Sequence, residues 1–366
     1  MKLSVGAHYY PWYGQPCHAI LGGGEWSSGY TNKPRLGTYD VRDPRVIVQH
    51  VDWAGQAGLD FLMFNWTGRE TWDDISVRDY FLRHPCARDI RFCFNYDSYQ
   101  ALNKLNITQS YDLKENYRQG LAKGEKLAAD FGYLADTYFQ HPNYLRVNGR
   151  PVVMIYIVRE FTHAAPYLER LRESVLKRGL NVFLIADVVH WESRQLVKRV
   201  NWKRVFGNPR RAMNTALTIG RRLWNSSGVE GAAPWSYFDA ITAYNLYATP
   251  MLGTFLPDAD RLFRKFAGQA GSSGLGFVPS VIPGYDDRAL SGQYRPPLDR
   301  AGGEFYRAFW RMAARHLDPA LPMMLVTSFN EWHEGTEIEP SDEYGDMYLR
   351  LTKELISITE REFGAR

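Results

Sequence analysis

Cysteine is scarce: Cys17, Cys86 and Cys93 are the 3 in a chain of 366 residues. The number is odd and no spacing matches a zinc site, so no disulfide framework is implied and a reducing compartment is the simpler expectation. Long apolar runs are missing as well. Pro151–Val158 is among the most apolar stretches, far short of the roughly 20 residues that a membrane helix requires, and no membrane span is expected. Neither sign of charge dominates, since 44 basic and 40 acidic residues leave a net charge of +4. That excess is too small for the concentrated basic face of a nucleic-acid partner. As given, the chain runs from Met1 into a strand-like segment without a leader, which predicts a cytoplasmic protein, or an exported one only if a leader has been removed. Repeats and Pro/Ser linkers are also lacking. The expectation is one domain spanning 1–366.

What is present is ordinary globular composition, 45% hydrophobic and 23% charged, with one unusual feature. Aromatic residues make up 14% of the chain, as 11 Trp, 23 Tyr and 19 Phe. Their flat apolar faces with polar edges suit sugar-processing clefts, although large cores use the same residues.

Short β-rich apolar runs alternate with longer amphipathic stretches. Strands are predicted at Leu3–Tyr10, Leu59–Trp66, Ile90–Tyr96, Pro151–Tyr156, Asn181–Val188, Ala240–Tyr244, Gly276–Ile282 and Met323–Phe329. They are near-continuous Val, Ile, Leu and Phe runs, as expected of strands buried on both faces of a parallel sheet. Helices are predicted at Val46–Ala57, Asp112–Tyr138, Ala165–Arg178, Ala259–Ala270, Gly303–His316 and Met347–Phe363. The first is introduced by Asp43-Pro44 and closed by Gly58. About eight β/α units in a chain of this length predict an α/β fold, a (β/α)8 TIM barrel with long βα loops. A doubly wound open sheet is the alternative, but no Gly-x-Gly-x-x-Gly follows the first strand. Two loops are long, Tyr13–Arg42 and His190–Trp235. The second carries Lys198, Arg199, Lys203, Arg204, Arg210, Arg211, Arg221 and Arg222, either as a solvated face or as a lid for an anionic substrate.

Catalytic groups of such a barrel belong at the C-terminal ends of its strands. The last predicted strand runs into Asn330-Glu331-Trp332-His333-Glu334-Gly335-Thr336-Glu337-Ile338-Glu339, four glutamates and a histidine in a short span. Glu331 and Glu334 are three apart, so one turn can aim both at a single point. Paired carboxylates are what glycosidic bond cleavage needs, one protonating the leaving oxygen while the other acts as nucleophile or base. An acidic surface loop is the plain alternative, and His333 with two glutamates as metal ligands a third, for which no second His/Asp cluster completes the sphere. The other predicted strand ends share an aromatic and amide character: Tyr9, Tyr10 and Trp12 after the first, Asn65 and Trp66 after the second, Asn95 and Asp97 after the third, Tyr244 after the sixth, and Tyr285 with Arg288 after the seventh. Ring faces beside amides and acids are how a protein holds a neutral sugar. Substrate-binding candidates are therefore Tyr10, Trp12, Trp66, Asn95, Asp97, Tyr244, Tyr285, Arg288, Asn330, Trp332 and His333. Tyr9 and Trp12 would serve equally in core packing, and Arg288 would equally pair with Asp286 or Asp287.

These segments, in this order, resemble glycoside hydrolase family 99, the endo-α-mannosidases and endo-α-mannanases, and the related WbsX-type proteins of bacterial polysaccharide biosynthesis. The motifs are YYPWYG at Tyr9–Gly14, GLDFLMFNWTG at Gly58–Gly68, VPSVIPGYDDR at Val278–Arg288 and SFNEWHEGTEIEP at Ser328–Pro340. The resemblance implies a (β/α)8 barrel, no metal or other cofactor, and retaining hydrolysis of internal α-mannosidic bonds. It implies that Glu334 is the general acid and then base, with a proton in the free enzyme. It implies that Glu331 takes the proton of the sugar 2-hydroxyl, which displaces the leaving group through a 1,2-anhydro intermediate. Two positions depart from the family: Asp97 stands where a substrate-holding glutamate is usual, and Trp66-Thr67 where two tryptophans are common. The basic segment is a further departure and suggests a glycan other than neutral mannan. Alternatives of different class are glycosyl transfer in surface-polysaccharide biosynthesis by the same carboxylates, and a non-catalytic carbohydrate-binding barrel. The expected partner in every case is a polysaccharide or oligosaccharide.

Overall fold

A computed structural model describes residues 2–14, 25–103, 111–118, 120–158, 161–188, 234–246, 255–290 and 297–364. The basic residues between 198 and 222, and Cys17, lie outside them.

Eight strand positions form the barrel: β1 (Ser4–Tyr9), β2 (Phe61–Trp66), β3 (Arg91–Tyr96), β4 (Arg150–Ile155), β5 (Phe183–Asp187), β6 (Ala240–Thr242), β7 (Gly276–Val278 and Ser280–Val281) and β8 (Met323–Val326). Each neighbouring pair is parallel, from β1 against β2 round to β8 against β1. The ring passes from β6 to β8 across Pro279: the segment before it pairs with β6 and the segment after it with β8. Proline has no N–H to give a ladder, yet its carbonyl still accepts from Leu325 N at 2.9 Å. All eight predicted strands are present, with ends moved by a few residues. Their interiors are buried on both faces, β2 along its whole length, as parallel strands between a filled barrel and a helical layer must be.

Five of the six predicted helices match closely: α1 (Pro44–Gln56), α3 (Ala165–Leu176), α4 (Phe255–Ser272), α5 (Glu304–Ala314) and α6 (Met347–Gly364). In α1, Asp43 caps the N-terminus by accepting from Arg45 N, Pro44 opens the first turn, and Val46, Ile47, His50, Val51, Trp53 and Ala54 form the buried stripe. The predicted helix over Asp112–Tyr138 is a correction. Only Lys123–Thr137 (α2) is helical, and the residues before it form short strands, including a ribbon of Asn116–Arg118 with Leu121–Ala122. Gly120 lies at the ribbon turn with φ of +82°, a left-handed conformation that a continuing helix does not permit. A helical stretch over Trp72–Ile75 and Ser76–Phe81 was not anticipated. Its signal was local: the Thr71 hydroxyl accepts from Asp74 N.

Alternation along β1 divides its side chains between two surroundings. Tyr9 reaches outward, its hydroxyl 2.8 Å from His50 Nδ1 on α1. His8 faces inward, its ring edge-on to Tyr244 with centroids 4.8 Å apart. Gly6 permits close packing there, since a Cβ would lie 2.1 Å from the Phe61 ring. No helix among the described residues is long and apolar enough to cross a membrane.

Candidate active site

The β8 end turns back on itself and is stapled by short-range bonds. Ser328 N donates to Thr336 O at 2.8 Å, Thr336 N to Glu331 O at 3.3 Å, and Ile338 N to Ser328 O at 3.0 Å. The Ser328 hydroxyl lies 3.0 Å from that of Thr336 and accepts from Glu331 N at 2.7 Å. Glu331 is buried, and its Oε1 accepts from His333 N at 3.2 Å. Glu334 is half-buried, and its backbone oxygen accepts from Asp286 N at 2.7 Å on the β7 side. Asn245 Nδ2 lies 3.3 Å from its Oε2, and the Tyr285 hydroxyl 3.5 Å from its Oε1. Gly335 has φ of +58°, and a Cβ there would come within 3.0 Å of the Asp286 carbonyl oxygen, so glycine is required at the tip.

The charges of both carboxylates act on one pair of buried phenols. The Tyr10 and Tyr244 hydroxyls are hydrogen-bonded to each other. Burial first, and then the charges of Glu331 and Glu334, hold the Tyr10 phenol well above its usual range. Burial again dominates for Tyr244, followed by Tyr10, Glu334 and Glu331. Tyr244 is fixed from β5 by Asp187, which accepts from its N–H at 3.1 Å, and its carbonyl accepts from Ser280 and Thr327. Beneath its ring, burial lowers the His8 imidazole to about 3, so His8 is neutral at working pH.

The remaining candidates occupy distinct places. Trp12 is half-buried and packs on Tyr10 with ring centroids 4.4 Å apart. Asp97 caps the short helix Ser98–Ala101 and belongs to a buried amide row, with Asn65 Nδ2 3.4 Å away and Asn95 Nδ2 donating to Asn65 Oδ1 at 3.0 Å. Burial pushes the Asp97 carboxyl up to about 6. Tyr285 is buried and donates to Asp287 at 3.1 Å. Arg288 takes up Asp286 in a two-point pair at 2.8 and 2.6 Å, the surface arrangement weighed for it from sequence. Trp66, Asn330 and Trp332 are wholly buried and shape the site from behind. Trp66 donates to Asp74 at 2.9 Å. The Asn330 amide grips the Tyr10 backbone from both sides, accepting from its N–H at 2.7 Å and donating to its carbonyl at 3.0 Å. His333 is buried too, with Nδ1 3.0 Å from Gly29 O.

The four glutamates of the motif divide by direction. The charges of Glu331 and Glu334 act on the phenols, whereas Glu337 and Glu339 are buried and paired with other elements. Glu337 accepts from Arg300 Nη2 at 2.6 Å and from Asn32 Nδ2 at 2.7 Å. Glu339 pairs with His50 Nε2 at 3.2 Å and accepts from the Tyr39 hydroxyl at 2.7 Å and the Trp332 indole at 3.1 Å. Sequence reasoning passed over Asn32, Tyr39, His50, Asn245 and Arg300. Only His50 left a trace, as an imidazole on the apolar stripe of α1. Among the described residues, no group of three or more His, Cys, Asp or Glu side chains is placed to hold a metal ion.

Residues 31–352 match a family model described as Glycosyltransferase WbsX. The rat glycoprotein endo-alpha-1,2-mannosidase is 24% identical over 374 residues, covering 93% of this chain and 68% of the relative. The human glycoprotein endo-alpha-1,2-mannosidase-like protein is 22% identical, covering 87% of this chain and 62% of that protein. A family 99 endo-alpha-mannosidase from Bacteroides thetaiotaomicron, solved with bis-tris-propane, superposes with a TM-score of 0.66 at 21% identity over 99% of both chains. A solved glycoside hydrolase-like protein gives a TM-score of 0.71 at 19% identity over 97% of this chain and 94% of its own. The barrel is thus shared with the family 99 fold, and with its last motif closing the ring at β8 the chain belongs to the WbsX family.

Proposed function

We propose that the chain is an endo-acting glycoside hydrolase that cleaves α-mannoside-like bonds in a polysaccharide or oligosaccharide with retention of configuration. The observation that carries this reading is a pair of carboxylates just past the end of β8, Glu331 held by His333 N and Glu334 reached by Asn245 and Tyr285. Glu334, the more exposed of the two, is approached by Asn245 and Tyr285 and is the one that meets the leaving-group oxygen. It donates a proton to that oxygen and then, as a base, takes one from the entering water. Glu331, deeper and fixed by His333 N, accepts the proton of the donor sugar's 2-hydroxyl. That oxygen attacks the anomeric carbon from the opposite face as the leaving group departs; water, losing its proton to Glu334, then reopens the three-membered ring with retention while Glu331 returns its proton to the 2-oxygen. An axial 2-hydroxyl is needed for that approach, which supports a mannose-configured donor.

The family model's description favours a second reading, glycosyl transfer, in which a sugar hydroxyl enters where water would. The test is product release from α-mannans and bacterial exopolysaccharides by wild type and Glu334→Gln. Oligosaccharides from wild type, with a loss of about 100- to 10,000-fold in the variant and binding retained, support the hydrolase. No release from any glycan, with sugar transfer to an added acceptor, supports the transferase. Undiminished release by Glu334→Gln overturns the acid–base assignment.

A further inference from the structure

We infer that the two glutamates buried behind the catalytic loop are positioning residues, each serving a different catalytic carboxylate: Glu339 with His50 sets Glu331, and Glu337 with Arg300 sets Glu334. The inference rests on the roles proposed above for Glu331 and Glu334.

The argument is one of attachment points. Glu331 is flanked by Asn330 and Trp332, and both are tied to the Glu339 network. The Tyr39 hydroxyl, which donates to Glu339 at 2.7 Å, accepts from Asn330 Nδ2 at 3.4 Å and from Trp332 Nε1 at 3.2 Å. Trp332 Nε1 also reaches Glu339 itself, at 3.1 Å. His50 closes the far side, with Nε2 on Glu339 and Nδ1 on the Tyr9 hydroxyl at 2.8 Å. This network anchors the Glu331 side of the loop to α1 and to β1. Asn330 further carries the Tyr10 backbone, so the carboxylate and the phenol facing it share one support.

Glu334 is flanked by Gly335, whose carbonyl accepts from Arg300 Nη2 at 3.1 Å. The same guanidinium holds Glu337 at 2.6 Å, and Asn32 donates to the same carboxylate oxygen at 2.7 Å. Arg300 is only 5% exposed and sits over the Tyr344 and Tyr348 rings, which fix its plane. The Glu334 side of the loop is therefore anchored to the segment before α5. Among the described hydrogen bonds, neither network shares a side chain with the other. A carboxylate moved by about 1 Å can lose about 100-fold in rate, so each network has rate to lose at its own carboxylate.

Activated leaving groups separate the two roles. An α-configured mannosyl disaccharide fluoride needs little protonation at departure, whereas a mannan oligosaccharide needs a great deal. Compared as kcat/KM, which reports only the steps up to leaving-group departure and not the later attack of water, Glu334→Gln should fail on the oligosaccharide and recover on the fluoride, and Glu331→Gln should fail on both. Tyr39→Phe and His50→Gln are expected to lower kcat by about 10- to 100-fold on both substrates with KM little changed. Arg300→Lys and Asn32→Ala are expected to show a similar loss on the oligosaccharide but to stay within about threefold of wild type on the fluoride. Arg300→Lys retains the buried charge; should it not fold, by near-ultraviolet circular dichroism, Asn32→Ala carries that arm. If the two parent variants do not separate, the proposed function fails. If they separate while the four positioning variants lose equally on both substrates, or lose nothing, the inference is overturned.

Discussion

Asp97 offers a stability test that reads the interior of the cleft directly. Its carboxyl is pushed up to about 6 from 3.8, chiefly by burial, with Asn65 and the Gln100 N–H pulling the other way. Between those values the folded chain keeps a proton that the unfolded chain has released, so this group's contribution to stability is present at low pH and is lost as pH rises through about 6. A tenfold change in proton affinity corresponds to about 1.4 kcal/mol, which makes the loss between pH 4 and pH 7 about 2 kcal/mol. Other buried carboxyls, Asp130 and Glu337 among them, are raised as well, so the wild-type slope alone assigns nothing. Asp97→Asn isolates the contribution of this one group. The amide is isosteric, keeps an oxygen for the Gln100 N–H, and forfeits the long 3.4 Å bond from Asn65 by a pH-independent amount. Guanidinium unfolding midpoints of both proteins between pH 4 and pH 7 should show the variant gaining about 2 kcal/mol on wild type as pH rises. A difference that is constant across that range, or one that falls, refutes the account of Asp97 as a carboxyl destabilised by burial.

Three further outcomes are expected. Gly6→Ala puts a methyl 2.1 Å from the Phe61 ring between β1 and β2 and should cost about 1–3 kcal/mol in chemical unfolding, with activity preserved in the folded fraction. Trp66→Phe removes the indole donor to Asp74, which keeps the Tyr133 and Tyr138 hydroxyls and the Glu70 N–H; the expected cost is about 2–3 kcal/mol by the same assay. Dialysis against a chelator should leave turnover on a glycan unchanged, as the family resemblance implies, and restoration of lost activity by an added divalent cation would reverse that expectation.

Much of the fold is legible in the residues because both of its periods are strong. The eight β segments carry near-continuous apolar runs, and α1 carries its own cap, first-turn proline and terminating glycine. Of the helix expected over Asp112–Tyr138 only the first part fails: Gly120 sits in a left-handed turn and the residues before Lys123 form short strands, while Lys123–Thr137 is helical. Glu331 and Glu334 were legible as a pair since their spacing fits one turn after a strand. That the same motif holds two glutamates of opposite orientation was not: Glu337 and Glu339 look alike in sequence, and their directions depend on Arg300, Asn32, Tyr39 and His50.

The buried strand runs, the caps of α1 and the segment that carries the paired carboxylates are readable from the residues alone, because apolar patterning and capping are short-range signals. Long-range packing settles that Glu337 and Glu339 are buried against other elements, that Tyr10 and Tyr244 meet, and that Trp66, Asn330 and Trp332 are wholly buried. Those outcomes join residues up to 320 positions apart, as between Tyr10 and Asn330. The physical reason is that a buried polar group must find a partner wherever the fold brings one, and barrel closure, rather than sequence proximity, selects that partner.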